Sequence, residues 1–584
     1  MATKRGIQYI PAIDGLRALA VIAVMFYHLG FSWIPGGFLG VDLFFVISGY
    51  VITRLLLDSI AQSGGLDLRG FYIARIRRLL PALVFMLIST AIAIGIWAPD
   101  TIKRLLIDTP FSLTGTMNWW LVARHQDYFE SIGRPPLLQH TWSLAVEAQF
   151  YLVWPLILYF ILKNFGKKHI PAAALLIAAA SGIALLLLSF SLDASNASKV
   201  SHVYFGTDTH SIGLFLGAAL AVSWIPQNFT ISVTKKAQDF IDGVGIAGFI
   251  GILAAFLLID ETQPTLYKIA FPLAGLCGAA IIMSVVHPAS RFAPLLQSPV
   301  LLWIGERSYA IYLWHWVIFQ VTRPTVDLAG QTWALYALRI LIVFALSDIS
   351  LRYVEQPIRR GIIQNWLKGL KYRTKQERTV QTRLFSGVTV VVLLIAAIVS
   401  VRAISIANEQ RATLVASLDI EEPATISQPT TDGLWVAGDS VILGIRSALG
   451  ESHPISIINA RIGRQAPELL EVILQDKPAA ENYRAVIDLG NNGALTREQV
   501  EAIFEALKDQ QQVIIVNTAV PRPWRDSNNA LISDIAARYP QFSVVDWKAI
   551  SEGHPEYFAP DGVHLVPAGV AVYVAQILLE LNNP

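Results

Sequence analysis

Residues 434–450 read LWVAGDSVILGIRSALG. An apolar run stops at Gly438-Asp439-Ser440, and a helical pattern begins at once. A chain that turns from strand to helix in this way presents a serine hydroxyl beside the N–H groups of a helix N-terminus, where oxyanions are favoured. The surrounding segment repeats the alternation. Short apolar runs occur at 455–460 (ISIINA), 485–490 (AVIDLG), 513–519 (VIIVNTA) and 542–547 (FSVVDW), with helical stretches between them, as at 497–508. Strands alternating with helices predict an α/β/α, flavodoxin-like layer structure with a parallel sheet covered on both faces. The segment 433–584 is large enough for a core of its own.

Upstream the composition belongs to another solvent. Of 584 residues, 54% are hydrophobic and 15% charged, with mean hydropathy +0.50. A soluble domain carries about 25% charged residues. Apolar stretches long enough to span a bilayer lie near 12–33, 38–57, 79–98, 142–163, 170–191, 208–225, 241–260, 269–287, 299–320, 333–354 and 385–404. The stretch 105–123, broken by Pro110 and Asn118, reads as re-entrant or interfacial. The N-terminal apolar segment carries Asp14 and Arg17 and no cleavage pattern, so it reads as a retained span. A multi-span α-helical membrane domain is therefore expected ahead of the α/β domain. The net charge of +2 carries no nucleic-acid signal, and no such partner is expected. A single cysteine, Cys277, leaves no disulfide framework and no cysteine zinc site, and no metal is expected.

Lys and Arg set the expected orientation. Basic residues precede the first span and fall at 69–78, 163–168, 235–236 and 359–383, all on one side if the spans are counted in order. That side is expected to be cytoplasmic, which puts the N-terminus inside and the tail outside. The expected organisation is a membrane domain at 1–360, a basic cytoplasmic loop at 361–384, a further span at 385–404, an extracytoplasmic linker at 405–432 and the α/β domain at 433–584.

A serine nucleophile needs a base. The loop FAPDGVHLVPAG places Asp561 and His564 three residues apart, so one turn lets the carboxylate hold the imidazole tautomer that accepts the serine proton. Gly463, after the second strand, offers a bare backbone N–H. Asn492 in DLGNNGAL, after the third, offers a side-chain amide for an oxyanion hole completed by the Ser440 N–H. All lie at the carboxyl ends of strands, where open α/β sheets place their sites. This ordered set resembles the SGNH (GDSL-like) esterase family. The resemblance implies Ser440, Gly463, Asn492 and His564 as its four marker residues, with Asp561 completing a triad. The third block reads Gly490-Asn491-Asn492-Gly493 and lacks the family's usual aspartate.

Ionisable residues inside spans are costly unless paired or facing a cavity. Arg17 and His28 lie eleven residues apart in the first span, on one helix face and ~16 Å apart along it. The cluster Arg75-Ile76-Arg77-Arg78 suits phosphate groups, or plain anchoring to anionic lipid. His140 and Glu147 share a predicted helix face and either orient a hydroxyl or form a structural pair. His315, among aromatics in SYAIYLWHWV, reads as a packing residue. Together with GVDLFFVISGY, HTWSLAVEAQFY and VEQPIRR, these segments resemble the acyltransferase-3 membrane family over roughly 7–360. The resemblance implies an acyl-coenzyme A donor, most often acetyl-CoA, on the cytoplasmic face and an extracytoplasmic hydroxyl acceptor. It makes Arg17 and His28 the leading catalytic positions, with Glu147 a further one, and Arg75, Arg77 and Arg78 the donor contacts.

A fusion of these two units resembles bacterial O-acetyltransferases of lipopolysaccharide O-antigen or related surface polysaccharides in the inner membrane, with the α/β domain in the periplasm. Such an enzyme is expected to take acyl-CoA, to sit among membrane lipids and to modify a surface or lipid-linked glycan through an acyl-serine. The rival expectations are a membrane-tethered glycan deacetylase and, from another class, a lipid-linked glycan transporter.

Overall fold

The computed structural model describes residues 9–63, 65–124, 135–190, 197–259, 266–324, 327–328, 332–418, 433–461, 463–476, 483–522, 524–559 and 562–582. Among them, nine helices are long and apolar enough to cross a bilayer. They coincide with nine of the eleven expected spans. The other two also form helices. The helix Ile212–Ser223 has only 12 residues, about 18 Å against a hydrocarbon core of about 30 Å. The helix Pro299–Val321 has 23 residues but carries Arg307 and His315, and it is buried within the bundle over most of its length. The interrupted region 105–123 becomes two short helices, Ile102–Thr114 and Met117–Ala123, broken at Gly115.

The first three long helices frame the membrane site. Helix α1 (Pro11–His28) starts with proline, whose missing N–H is no loss in the first turn. Helix α2 spans Gly40–Ser63 and α3 spans Leu68–Trp97. Asp67 caps α3 by accepting the Gly70 N–H at 2.8 Å. The arginines at 69–78 are therefore helical, not in a loop between spans as the charge pattern suggests. The cap starts the helix, and charged side chains are tolerated in the turns that precede its apolar stretch. The same correction applies at 361–384. The basic segment contains the helix Ile362–Leu370 and the start of a 44-residue helix, Lys375–Leu418, which also takes up the first part of the expected linker.

Close packing aligns α1 with Pro299–Val321. A Cβ at Gly305 would stand 1.9 Å from the Asp14 carbonyl oxygen, so only glycine admits this approach. Fourteen residues past Asp14, His28 touches His315, ten past Gly305. The two helices therefore run parallel.

The C-terminal region holds five parallel strands: β1 (Leu434–Gly438), β2 (Ile455–Ala460), β3 (Arg484–Asp488), β4 (Gln512–Val516) and β5 (Phe542–Val545). Their order is β2-β1-β3-β4-β5. Side chains alternate between two apolar cores: Val436, Val486 and Ile514 face one, and Trp435, Ala485 and Val513 the other. Each fully buried Val or Ile contributes about 1.5–3 kcal/mol, so sheet burial holds this domain together without disulfides. Chain direction across the sheet reverses between β1 and β3, and this is where doubly wound sheets open a crevice at their carboxyl ends.

Candidate functional site

Two cavities meet inside the membrane bundle. The wider, about 390 Å³, is lined by Arg17, Arg54, Arg75, Arg78 and Arg359 against Asp14, Glu306 and Glu355. The second, about 80 Å³, shares Arg17, Arg75 and Arg78 and reaches Ser48, Glu147, Tyr151, Ser143 and Tyr312. One Arg17 nitrogen is held by Asp14 at 2.7 Å, and Asp14 also accepts the Tyr9 hydroxyl at 2.7 Å. Arg75 Nε is buried with no hydrogen-bond partner among the described residues. A chamber with this excess of guanidinium groups is suited to phosphate oxygens. Arg75 and Arg78, three residues apart on α3, share the cavity face, while Arg77 lines neither cavity. The expected trio of arginines is thus a pair, joined by Arg359 and Arg54 from distant segments.

His140 and Glu147 do not form a pair. His140 ends up in a short turn, Gln139–Thr141, before the helix Trp142–Asn164. Its Nε2 lies 3.2 Å from the Leu313 carbonyl oxygen. Glu147 instead accepts the Ser48 hydroxyl, whose oxygen is also 2.7 Å from Tyr151 Oη. The change of backbone form between the two residues removes the shared helix face that their spacing predicts.

His28 lies beyond the cavities, at the end of α1. Its Nδ1 is 2.9 Å from His315 Nε2. His315 is fully buried, and its Nδ1 lies 2.7 Å from the Tyr312 carbonyl oxygen. The Tyr312 hydroxyl bonds the His140 carbonyl oxygen at 2.8 Å and Ser143 Oγ at 2.7 Å. Tyr312 thus stands between the cavity and the histidines. His315 is buried among aromatic rings, as its neighbours suggest, and it also contacts His28. Nothing local marks its partner, which lies 287 residues away. Asp42 is bonded to His210 at 3.0 Å, a buried pair apart from this chamber.

In the tail, Ser440 opens the helix Ser440–Ser452 directly after β1 and its flanking Asp439. Asp439 caps that helix, accepting the Val441 N–H at 2.9 Å. Ser440 Oγ is buried and has no hydrogen-bond partner among the described residues. Such a group costs about 1–3 kcal/mol, an expense tolerated where the hydroxyl is kept for reaction. Gly463 follows β2 with φ of +77°, a conformation that alone accounts for glycine. His564 sits in the loop before the last helix, and its carbonyl oxygen accepts the Ala559 N–H at 2.7 Å. Asp561 lies outside the described residues.

Asn492 departs from expectation. Its amide nitrogen donates to Asp439 Oδ2 at 2.6 Å and to the Arg464 carbonyl oxygen at 3.2 Å. Both N–H groups are thereby used, and the side chain braces the GDS turn rather than presenting a donor to an oxyanion. Asn491 donates to both carboxylate oxygens of Asp488, at 2.9 and 2.8 Å. Burial pushes the Asp439 carboxyl up. Burial, and then the neighbouring Asp439 charge, push Asp488 well above the usual carboxylate range. The sequence reading missed this acid pair, although Asp488 directly follows the apolar run Ala485–Ile487.

These features define a polytopic membrane protein with a cationic internal chamber and a histidine cluster, carrying an α/β domain with a buried serine at its sheet switch point. Residues 10–352 match the Acyl_transf_3 family, described as an acyltransferase domain, and the chain belongs to that family. It is 34% identical over 632 aligned positions to the peptidoglycan O-acetyltransferase OatA of Listeria monocytogenes, covering 100% of this chain and 99% of that protein. YrhL of Bacillus subtilis is 31% identical, covering 99% of each. Among solved structures, the C-terminal catalytic domain of Streptococcus pneumoniae peptidoglycan O-acetyltransferase A matches at 24% identity. That match covers 26% of this chain and 93% of the other, with TM-score 0.24. OatA is named for peptidoglycan, which redirects the expectation of an O-antigen acceptor.

Proposed function

We propose that this protein transfers an acyl group, most simply acetyl, from cytoplasmic acyl-CoA to a hydroxyl of peptidoglycan outside the membrane. The observation that carries the reading is the joining of a phosphate-suited chamber and a strand-end serine in one chain, along the whole length of a peptidoglycan O-acetyltransferase relative. Arg75 and Arg78, with Arg17 and Arg359, hold the donor's phosphates. His28 acts on the thioester or its acceptor. The acyl group then passes to Ser440, with His564 as base, held in its tautomer by Asp561. An acyl-serine divides the transfer into two steps of lower barrier. The oxyanion is met by the Ser440 N–H and the Gly463 N–H.

Inverted membrane vesicles with cell-wall glycan enclosed in the lumen and labelled acetyl-CoA supplied outside test this. Label appearing on glycan hydroxyls supports transfer. Loss of pre-existing acetyl from the glycan, with no label gained, supports a deacetylase instead. A reporter fused to the C-terminus must face the extracytoplasmic side, since a cytosolic tail would put Ser440 on the wrong side of the acceptor.

A further inference from the structure

We infer that His315 is a positioning residue that fixes which nitrogen of His28 carries the reacting lone pair. The inference rests on the reading of His28 as the membrane-domain catalyst. The chain of atoms leaves little freedom. A carbonyl oxygen only accepts hydrogen bonds. The Tyr312 carbonyl lies 2.7 Å from His315 Nδ1, and that of Ile311 lies 3.2 Å from the same atom. Nδ1 of His315 therefore carries the hydrogen, and in a neutral imidazole Nε2 is then the acceptor. That acceptor faces His28 Nδ1 at 2.9 Å. His28 Nδ1 must donate, which assigns the His28 lone pair to Nε2.

The packing keeps the assignment in place. His315 is fully buried and cannot turn without losing both helix carbonyls. The two imidazole planes are tilted by 26° to each other, with centroids 5.1 Å apart. Trp316 closes on His28 edge-on at 4.7 Å and is itself tied to the Pro136 carbonyl oxygen at 2.9 Å. The arrangement follows the logic of a carboxylate-held histidine, with a helix carbonyl and a second imidazole in place of the carboxylate. Whichever step His28 performs, as base or as acyl carrier, it performs through Nε2. A proton taken there is stabilised through Nδ1–H by His315 and, behind it, by the Tyr312 carbonyl.

Two measurements test this. In the wild-type protein in lipid nanodiscs, the ¹⁵N signals of His28 are assigned by their loss in His28→Ala. They are expected to show a protonated Nδ1 and an unprotonated Nε2, and the opposite tautomer overturns the inference. In inverted vesicles, acetyl-CoA consumption is followed for His315→Gln and His315→Leu. Glutamine supplies an acceptor oxygen for His28 Nδ1–H; leucine supplies none. The expected kcat is within about tenfold of wild type for glutamine and down about 100-fold or more for leucine, with KM unchanged in both. A glutamine variant no better than leucine, or a leucine variant as active as wild type, overturns it. Full acetyl-CoA consumption by His28→Ala would instead remove the catalytic reading of His28, and leaves the tautomer measurement to stand by itself.

Discussion

The two halves of this molecule position a reactive group by opposite means. In the α/β domain, one local rule suffices: β1 ends, Asp439 caps the next helix, and Ser440 is delivered to the switch point. In the membrane half, no short stretch contains the site. His28 closes α1, its partner His315 lies on Pro299–Val321, and the chamber arginines come from α1, α2, α3 and the segment at Arg359. A site on a sheet is written at strand ends, whereas a site in a bundle exists only after helices with unrelated sequence positions have packed. The sharpest way to break this comparison is to disable each half alone. Ser440→Ala is expected to lower glycan acetylation by about 10³-fold or more and to leave the membrane half a single burst of acetyl-CoA consumption, since the acyl group has no acceptor to move on to. His28→Ala is expected to abolish both. Loss of that burst as well in the serine variant would mean that the membrane half does not act ahead of the serine.

The next effect in size concerns the donor. Truncating Arg75 or Arg78 removes a charge-assisted contact worth about 1.5–3 kcal/mol, or about 10–100-fold in KM for acyl-CoA. Arg77→Ala, from the same cluster but off the cavity, is expected to change KM by less than about twofold. Steady-state kinetics over a range of acyl-CoA concentrations in vesicles separates the two classes. Equal effects at all three positions would make the cluster a lipid anchor rather than a donor site.

The same contrast explains what the sequence made legible. The five strands, the serine and its helix were readable because their signals are local and repeat. Nine spans were readable because bilayer thickness imposes their length. The start of α3 was misplaced because positive charge reads as loop, while Asp67 and its cap lie twelve residues before the expected span. His315, Ser48 and Tyr312 were unreadable as site residues because their roles are set by partners on other helices, over 90 positions away in the case of Ser48 and Glu147. Asn492 was placed correctly, but its contacts were not foreseen. Its position at the end of β3 is a matter of topology, but its two N–H groups are claimed by Asp439 and Arg464, contacts that no spacing announces.

Asn492 therefore offers a smaller, sharper test within the tail. Asn492→Ala leaves Asp439 buried without that donor, a cost of about 1–3 kcal/mol that falls on the turn carrying Ser440. Hydrolysis of a chromogenic acetyl ester by the full-length protein is expected to fall about tenfold in kcat, through displacement of the turn. A loss of several hundredfold would restore Asn492 to the oxyanion hole.

The smallest effect is on stability and concerns the acid pair. Asp488 holds its proton in the folded domain to a pH well above the usual carboxylate range, because burial and the Asp439 carboxyl oppose its charge. The unfolded chain releases that proton near pH 4. Over the interval between the two values the folded state binds more protons than the unfolded one, so stability falls as pH rises; below the lower value nothing is lost. Asp488→Asn removes the titrating group while keeping the shape of the protonated acid. Amide hydrogen exchange of the β1 and β3 segments, measured in the whole protein and corrected for intrinsic rates, should show wild-type protection weakening from pH 5 to pH 8. The asparagine variant should match it at pH 5 and hold its protection at pH 8. Parallel curves for the two proteins would mean that the pair is ionised in the folded domain. The Ser440 turn would then rest on a charged floor, in contrast to the uncharged hydrogen-bond chain inferred for the membrane half.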